Sequence, residues 1–219
     1  MSQHAVIFDM DGVICHTNPY HAKAFEAFFK KYKIESSEEE FQEHMYGKHN
    51  SYIMSHFFKR PVAGEELLAL EFEKEAMFRA IYASEIQPIP HYLEFLDALK
   101  TAGFMTAVAT SAPKENMDLI LDGLDIRLKM ESLRSSENVT KHKPDPEVYI
   151  ETAKQLGVAP SECLVFEDSY SGISAAINAK MKVVGVLSSH TKSQLPPCQY
   201  YINDYNDIDI ARVSQLITG

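Results

Sequence analysis

Residues 5–14 read AVIFDMDGVI, an apolar run that closes on two carboxylates, Asp9 and Asp11, and then on Gly12. An apolar run of this kind predicts a buried strand. If the strand continues past Asp9, the two carboxyl groups point to the same side, because alternate strand residues share a face. Three later stretches carry groups that would complete a site. FMTAVATSA (104–112) ends its apolar run in Thr110 and Ser111, KHKPDP (141–146) sets Lys143 ahead of a helix, and CLVFEDS (163–169) closes on Glu167 and Asp168. Four acids on one rim repel each other unless a cation sits among them. Hard oxygen ligands in incomplete number suit Mg2+, which keeps waters and takes phosphate oxygens as further ligands. Thr110 and Ser111 would offer a hydroxyl and amides near a helix N-terminus, a natural place for phosphate. Lys143 would supply charge for developing phosphoryl oxygens. A carboxylate in such a site can attack phosphorus, with the second acting as acid and then as base.

Each element taken alone has a plainer reading. Asp is common at strand ends as a turn former, Thr-Ser and Glu-Asp-Ser pairs read as helix caps, and a lone lysine reads as solvated. The joint pattern carries the argument: the right residue types, in order, each at a strand end or beside one.

Such groups must be held by strands, and the chain supplies them. Residues 4–8, 104–109, 129–133, 163–167, 182–187 and 199–203 read as strands. Helical periodicity follows the two prolines within 86–104 and ends at Gly103, and it fills 113–123, 145–157, 170–180 and the segment from about 207. Apolar, unbroken strands alternating with helices mean a parallel sheet covered on both faces, with ligands outside the carboxyl ends. Residues 16–85 differ: helix follows helix, at 19–34, 36–45, 49–59 and 64–83, with Ser36 or Ser37 capping the second and Leu67, Leu68, Phe72 and Phe78 lining one side of the last. The expected architecture is α/β, a Rossmann-like parallel sheet core formed by 1–15 and 86–219, with an all-helical cap domain, 16–85, inserted after the first strand. Residues 188–198 read as a polar loop.

The motifs DMDGV, VATSA, KPDP and VFEDSYSGI, with the helical insert, resemble the haloacid dehalogenase superfamily of aspartyl-phosphate phosphotransferases along essentially the whole chain. The β-phosphoglucomutase-like branch is most similar. The resemblance implies Asp9 as nucleophile, Asp11 as acid and base, and Thr110, Ser111 and Lys143 as phosphate ligands, with Ala112 of the same motif a further candidate phosphate contact. It implies Mg2+ held by Asp9, the carbonyl of Asp11 and Asp168, with Glu167 close by. HTNPYHAKAF (16–25) places Thr17, Tyr20 and His21 in the register of the mutase cap, with His21 able to orient Asp11, and Lys74 falls where a sugar-binding lysine occurs. Two departures oppose a mutase. Asn50 stands at the register of an arginine that grips the distal phosphate, and Lys48 or His49 would lack its bidentate fork. Ala112-Pro113 replaces a Ser-Lys pair, with Lys114 displaced by one. A mutase holds two phosphates alternately, a phosphatase only one. His91, His142 and Lys180 stand where the family has glycine.

The expected activity is therefore Mg2+-dependent hydrolysis of a small phosphorylated metabolite of the sugar phosphate class through an aspartyl phosphate. The alternatives are a β-phosphoglucomutase-type mutase, a pyrophosphatase and a receiver-like phosphoacceptor module. A receiver would carry its acceptor on the third strand rather than the first, and a dehalogenase proper would have no use for Asp11 or the Glu167-Asp168 pair. Composition agrees. With 21 basic and 31 acidic residues the net charge is −10, which argues against nucleic acid or an anionic membrane as partner. The opening residues show no signal-peptide pattern, and no apolar run of about 18 residues exists to span a membrane. Cys15, Cys163 and Cys198 form no paired framework, which fits a reducing cytoplasm. A cytoplasmic monomer is the expectation.

Overall fold

The computed structural model describes residues 4–45 and 50–219. The chain divides into two compact units, residues up to His16 with Ile86–Gly219, and Thr17–Glu85.

The first unit is built on six parallel strands, β1 (Ala5–Phe8), β2 (Met105–Ala109), β3 (Ser132–Arg134), β4 (Cys163–Glu167), β5 (Lys182–Val186) and β6 (Tyr200–Ile202), in the order β3-β2-β1-β4-β5-β6. The earliest strand thus lies in the middle of the sheet, and chain order reverses there, the position at which such sheets open a crevice for ligands. The unbroken apolar character of β1 follows from its two covered faces. Ala5 and Ile7 join a core of small and branched residues with Val148, Tyr149 and Ala153 of α7 (Glu147–Leu156) and Ile173, Ala175 and Ala176 of α8 (Tyr170–Asn178). On the opposite face Phe8 meets Tyr92 and Phe95 of α5 (Tyr92–Thr101), Phe166 and Tyr205, with ring centroids 5.2–6.5 Å apart. The remaining helices of this unit are α6 (Lys114–Gly123) and α9 (Ile210–Thr218). Ser169 caps α8 by accepting from the Gly172 amide at 3.0 Å, and Asp209 caps α9 through the Arg212 amide at 2.7 Å; each satisfies an otherwise orphaned donor.

Two of the substituted glycine positions have a backbone reason. His91, immediately before α5, has φ 64°, and Lys180, just after α8, has φ 63°. Both lie in the left-handed region where glycine is at no steric disadvantage. His142 has no such conformation and lies exposed.

The second unit comprises α1 (Asn18–Lys31), α2 (Glu38–Met45), α3 (Asn50–Phe57) and α4 (Gly64–Tyr82). Phe25, Phe28, Phe29, Phe41, Phe57 and Leu70 are among the residues of a core of its own. Of the two candidate caps for α2, Ser37 takes the role, accepting from the Glu40 amide at 3.1 Å. His44 and His56 stack at 3.8 Å, held by Tyr52 and Glu40 respectively, so both are spent on packing α2 against α3. The apolar side expected for α4 is corrected. Leu68 and Phe72 are 64% and 65% exposed, while Leu70, Lys74, Glu75, Phe78 and Tyr82 are buried. Hydrophobicity misplaces this face because it carries two charges that neutralise each other. Among the described residues, no helix is long and apolar enough to cross a membrane.

His91→Gly and Lys180→Gly should each raise stability by about 1 kcal/mol, the left-handed strain outweighing the entropy cost of glycine. Calorimetry of the two variants checks this, and a fall in melting temperature in both would contradict the backbone reading.

Candidate active site

The carboxyl ends of β1, β2 and β4 lie side by side, and the sequence-expected groups of the first unit gather there. The Asp9 amide still joins the ladder, donating to the Phe166 carbonyl at 3.0 Å, but the strand does not continue beyond it. Instead the Gly12 amide donates to the Cys15 carbonyl at 2.8 Å and the Ile14 amide to the Met10 carbonyl at 2.8 Å, and the chain turns back through Gly12 at φ 72°. Asp11 is therefore presented by a tight turn rather than by strand alternation.

Asp9, Glu167 and Asp168 are all buried, and one carboxylate oxygen from each lies within 4.8 Å of the others. Lys143, itself buried, reaches in from the loop before α7. Its Nζ donates to Asp9 Oδ1 at 2.6 Å, to Glu167 Oε1 at 2.7 Å and to the Ala109 carbonyl at 3.1 Å. Burial pushes the Asp9 carboxyl up to about 7 from 3.8; Lys143 opposes this, while the charges of Glu167 and Asp11 add to it. Asp168 is likewise raised well above the usual carboxylate range by burial, then by Glu167 and Asp9. Burial works against the Lys143 charge, but Asp9 and Glu167 hold its pKa well above 10.5. Three carboxylates with one ammonium leave an excess of negative charge in a dry site, and the hard oxygens converge. That donor set fits a divalent cation such as Mg2+.

Glu167 is the most committed of the acids. Its Oε1 accepts from Lys143 and, at 3.0 Å, from the Tyr149 hydroxyl; its Oε2 accepts at 3.0 Å from the Asp168 amide, the Ser169 amide and the Ser169 hydroxyl. A carboxylate offers about four lone-pair sites, so Glu167 is filled by protein donors and organises its neighbours. Asp168 has Ser189 donating to its Oδ2, and His190 Nδ1 stands 3.1 Å from its carbonyl. Ser188 donates to the Gly12 carbonyl at 2.5 Å.

Two glycines make this density possible. A Cβ on Gly12 would stand 2.0 Å from Asp168 Oδ2, and a Cβ on Gly172 would stand 1.6 Å from Glu167 Oε1. Any side chain at either place would displace a carboxylate of the cluster.

Thr110 is buried at the end of β2, and its hydroxyl accepts from the Ala112 amide at 3.0 Å. The Ala112 carbonyl accepts from the Ser136 amide at 3.0 Å. The Ala112 amide, a candidate phosphate contact by its place in the second motif, is bonded within the turn in this structure. Ser111 lies exposed at the rim. The first amide of α6, that of Lys114, is covered by the Glu137 carboxylate at 3.0–3.1 Å, so the helix end is already occupied by an anion.

In the second unit, His21 and Lys74 are brought together, Lys74 Nζ standing 3.2 Å from His21 Nδ1 and 2.5 Å from Glu75 Oε1. The His21 ring stacks on Phe78 at 3.8 Å. Thr17 is buried at the start of α1, its carbonyl accepting from the Tyr20 and His21 amides. Asn50 is the first residue of α3, while Lys48 and His49 lie outside the described residues. The sequence reading missed Tyr149, Gly172, Ser188, Ser189 and Glu75. For Gly172 a signal existed, since it stands inside the quoted fourth motif; Ser188 and Ser189 read only as polar loop.

A parallel sheet that gathers three carboxylates and a lysine at its carboxyl ends defines the general class, an α/β enzyme with an anion-and-cation site. The family model of haloacid dehalogenase-like hydrolases matches residues 6–186, and the chain belongs to that family. It is 30% identical over 224 residues to a haloacid dehalogenase-like hydrolase domain-containing protein of Arabidopsis thaliana, covering 88% of this chain and 71% of that one. It is 29% identical over 183 residues to the fructose-1-phosphate phosphatase YqaB of Escherichia coli, covering 83% and 95%. Among solved structures, a family IA, variant 3 hydrolase from Entamoeba histolytica superposes with a TM-score of 0.92 at 27% identity, covering 99% and 100%.

The raised Asp9 carboxyl generates a pH effect. The folded protein keeps a proton that the unfolded chain releases near 3.8, so the stability owed to this group is present below that pH and is lost as pH rises towards 7. In EDTA, Asp9→Asn should therefore gain in melting temperature relative to wild type as pH rises across that window. The opposite trend would mean that pairing with Lys143 outweighs burial.

Proposed function

We propose that the chain hydrolyses the phosphate monoester of a small phosphorylated sugar, with the phosphoryl group carried on Asp9. The observation that carries the reading is the buried Lys143 ammonium shared between Asp9 at 2.6 Å and Glu167 at 2.7 Å. It sets a positive charge beside a buried carboxylate at the end of the central strand. The name of the Escherichia coli relative, a fructose-1-phosphate phosphatase, supports the substrate class.

In this reading an Asp9 oxygen attacks phosphorus, the bond from phosphorus to the ester oxygen breaks, and Asp11 gives that oxygen its proton. Asp11, now a carboxylate, takes a proton from water as the water oxygen attacks phosphorus. The bond to Asp9 then breaks and phosphate leaves. Asp11 is partly buried, and its charge is felt by both Asp9 and Asp168, which supports its place beside the reacting atoms. Lys143 donates to the phosphoryl oxygens, and the Thr110 hydroxyl assists in holding them. A Mg2+ ion held by Asp9, Asp168 and the Asp11 carbonyl, with Glu167 alongside, would neutralise charge on the transferring group.

Hydrolysis is favoured over a mutase by the second-phosphate groups. Lys114, the displaced lysine of the second motif, bridges to Asp118 at 2.5 Å on its own helix. Asn50, which begins α3, carries no charge with which to grip a distal phosphate; the helical unit is proposed as the cap that selects substrate through Thr17, His21, Asn50 and Lys74.

A panel of phosphorylated sugars, with pyrophosphate included, should give phosphate release with at least one sugar phosphate. Asp9→Asn should retain less than about a hundredth of that rate, as for loss of a covalent nucleophile. EDTA should silence the enzyme and Mg2+ should restore it. Isomerisation of β-glucose 1-phosphate to the 6-phosphate without phosphate release would overturn the assignment.

A further inference from the structure

The Tyr149 hydroxyl sits within the charged cluster, although its ring belongs to the core beneath the sheet. Tyr149 is fully buried on the first turn of α7, six residues after Lys143, among Val148, Ala153 and Ile173. Its hydroxyl donates to Glu167 Oε1 at 3.0 Å, the same oxygen that accepts from Lys143 Nζ at 2.7 Å. The Lys143 ammonium also lies 4.9 Å from the centre of the Tyr149 ring. The ring therefore supports the ammonium while the hydroxyl competes with it for one oxygen. The other Glu167 oxygen is filled by Asp168 and Ser169, so Glu167 has no freedom to compensate by turning.

We propose that Tyr149 is a positioning residue: by occupying Glu167 Oε1 it keeps Lys143 shared with Asp9 rather than captured by Glu167. The two Lys143 bonds are nearly equal, 2.6 and 2.7 Å, because Glu167 spends part of its charge on the tyrosine. Without the hydroxyl, Glu167 Oε1 becomes an under-filled buried acceptor, and the nearest remaining donor is Lys143. The ammonium is then drawn from the place where the phosphoryl oxygens meet Asp9. Phenylalanine keeps the ring and the packing, so the hydroxyl alone is removed.

The inference rests on the phosphatase reading for its kinetic arm, and a binding arm stands apart from turnover. Tyr149→Phe should lower kcat about tenfold, the scale of one hydrogen bond to a charged group, while the Mg2+ concentration for half-maximal activity stays within twofold. The same substitution made in a Lys143→Ala background should change kcat by less than twofold, because the residue it acts through is gone. Inorganic phosphate, titrated calorimetrically in Mg2+, should bind Tyr149→Phe several-fold more weakly than wild type and bind the two Lys143→Ala proteins alike. Melting temperatures show that each variant is folded. An equal loss in both backgrounds would reduce Tyr149 to a packing role, and an unchanged kcat and phosphate affinity in Tyr149→Phe would overturn the proposal. If wild type releases phosphate from no substrate, the phosphatase reading fails and the phosphate titration still decides the role of Tyr149.

Discussion

Lys143 enters the carboxyl end of the sheet from the loop before α7 and is shared by Asp9 of the first strand end and Glu167 of the fourth. Removing an ammonium and two carboxylates from water costs several kcal/mol per ion, and mutual attraction offsets this only with good geometry and filled hydrogen-bond capacity. The surrounding structure provides both. Glu167 is filled by Lys143, Tyr149, Asp168 and Ser169, and Lys143 finds a third acceptor in the Ala109 carbonyl. Even so the balance is incomplete: Asp9 and Asp168 remain raised by burial and by neighbouring acids. The cluster is thus short of positive charge, with three acids gathered around one ammonium.

The sheet explains why this density of charge is tolerated. Its two covered faces provide a rigid apolar base, with aromatic rings on one side of Phe8 and small residues of α7 and α8 on the other. Interiors packed this closely transmit small displacements. Gly12 and Gly172 are the points at which backbone must come within contact of a carboxylate. Packing and chemistry therefore cannot be separated here, since Tyr149 and Gly172 serve both.

The helical unit repeats the principle on a smaller scale. Its phenylalanine-rich core would suffice to hold four helices, yet α4 turns Lys74 and Glu75 inwards, beside His21, and leaves Leu68 and Phe72 in solvent. Burying a charged pair in preference to available apolar side chains costs stability unless the pair is well matched, as Lys74 is by Glu75. A hydrophobic pattern alone reads this helix the wrong way round.

Much of the fold was legible in the sequence because it is written locally. Apolar runs of strand length, helical periodicity, and the serines that cap α2 and α8 depend on neighbours within a few residues, and among the described residues the strands and helices lie close to where those signals put them, with β3 shifted to Ser132–Arg134 from the expected 129–133. Asp9, Glu167 and Asp168 were legible by type and by their place at strand ends, and Asp11 and Lys143 by type and by their place in the motifs beside them. The relations among them were not. Lys143 and Asp9 are 134 residues apart in the chain, and Ser189 and Asp168 come from different strand ends. Only the strand order β2-β1-β4-β5 brings these ends together, and only packing shows that Glu167 is filled, that Tyr149 shares its oxygen, and that Ala112 has no amide to spare. Which chemical groups the protein owns, and in what order along the chain, is written in its residues. The tertiary structure decided which of them share a proton donor, because hydrogen-bond capacity is a property of the assembled site and not of any one residue.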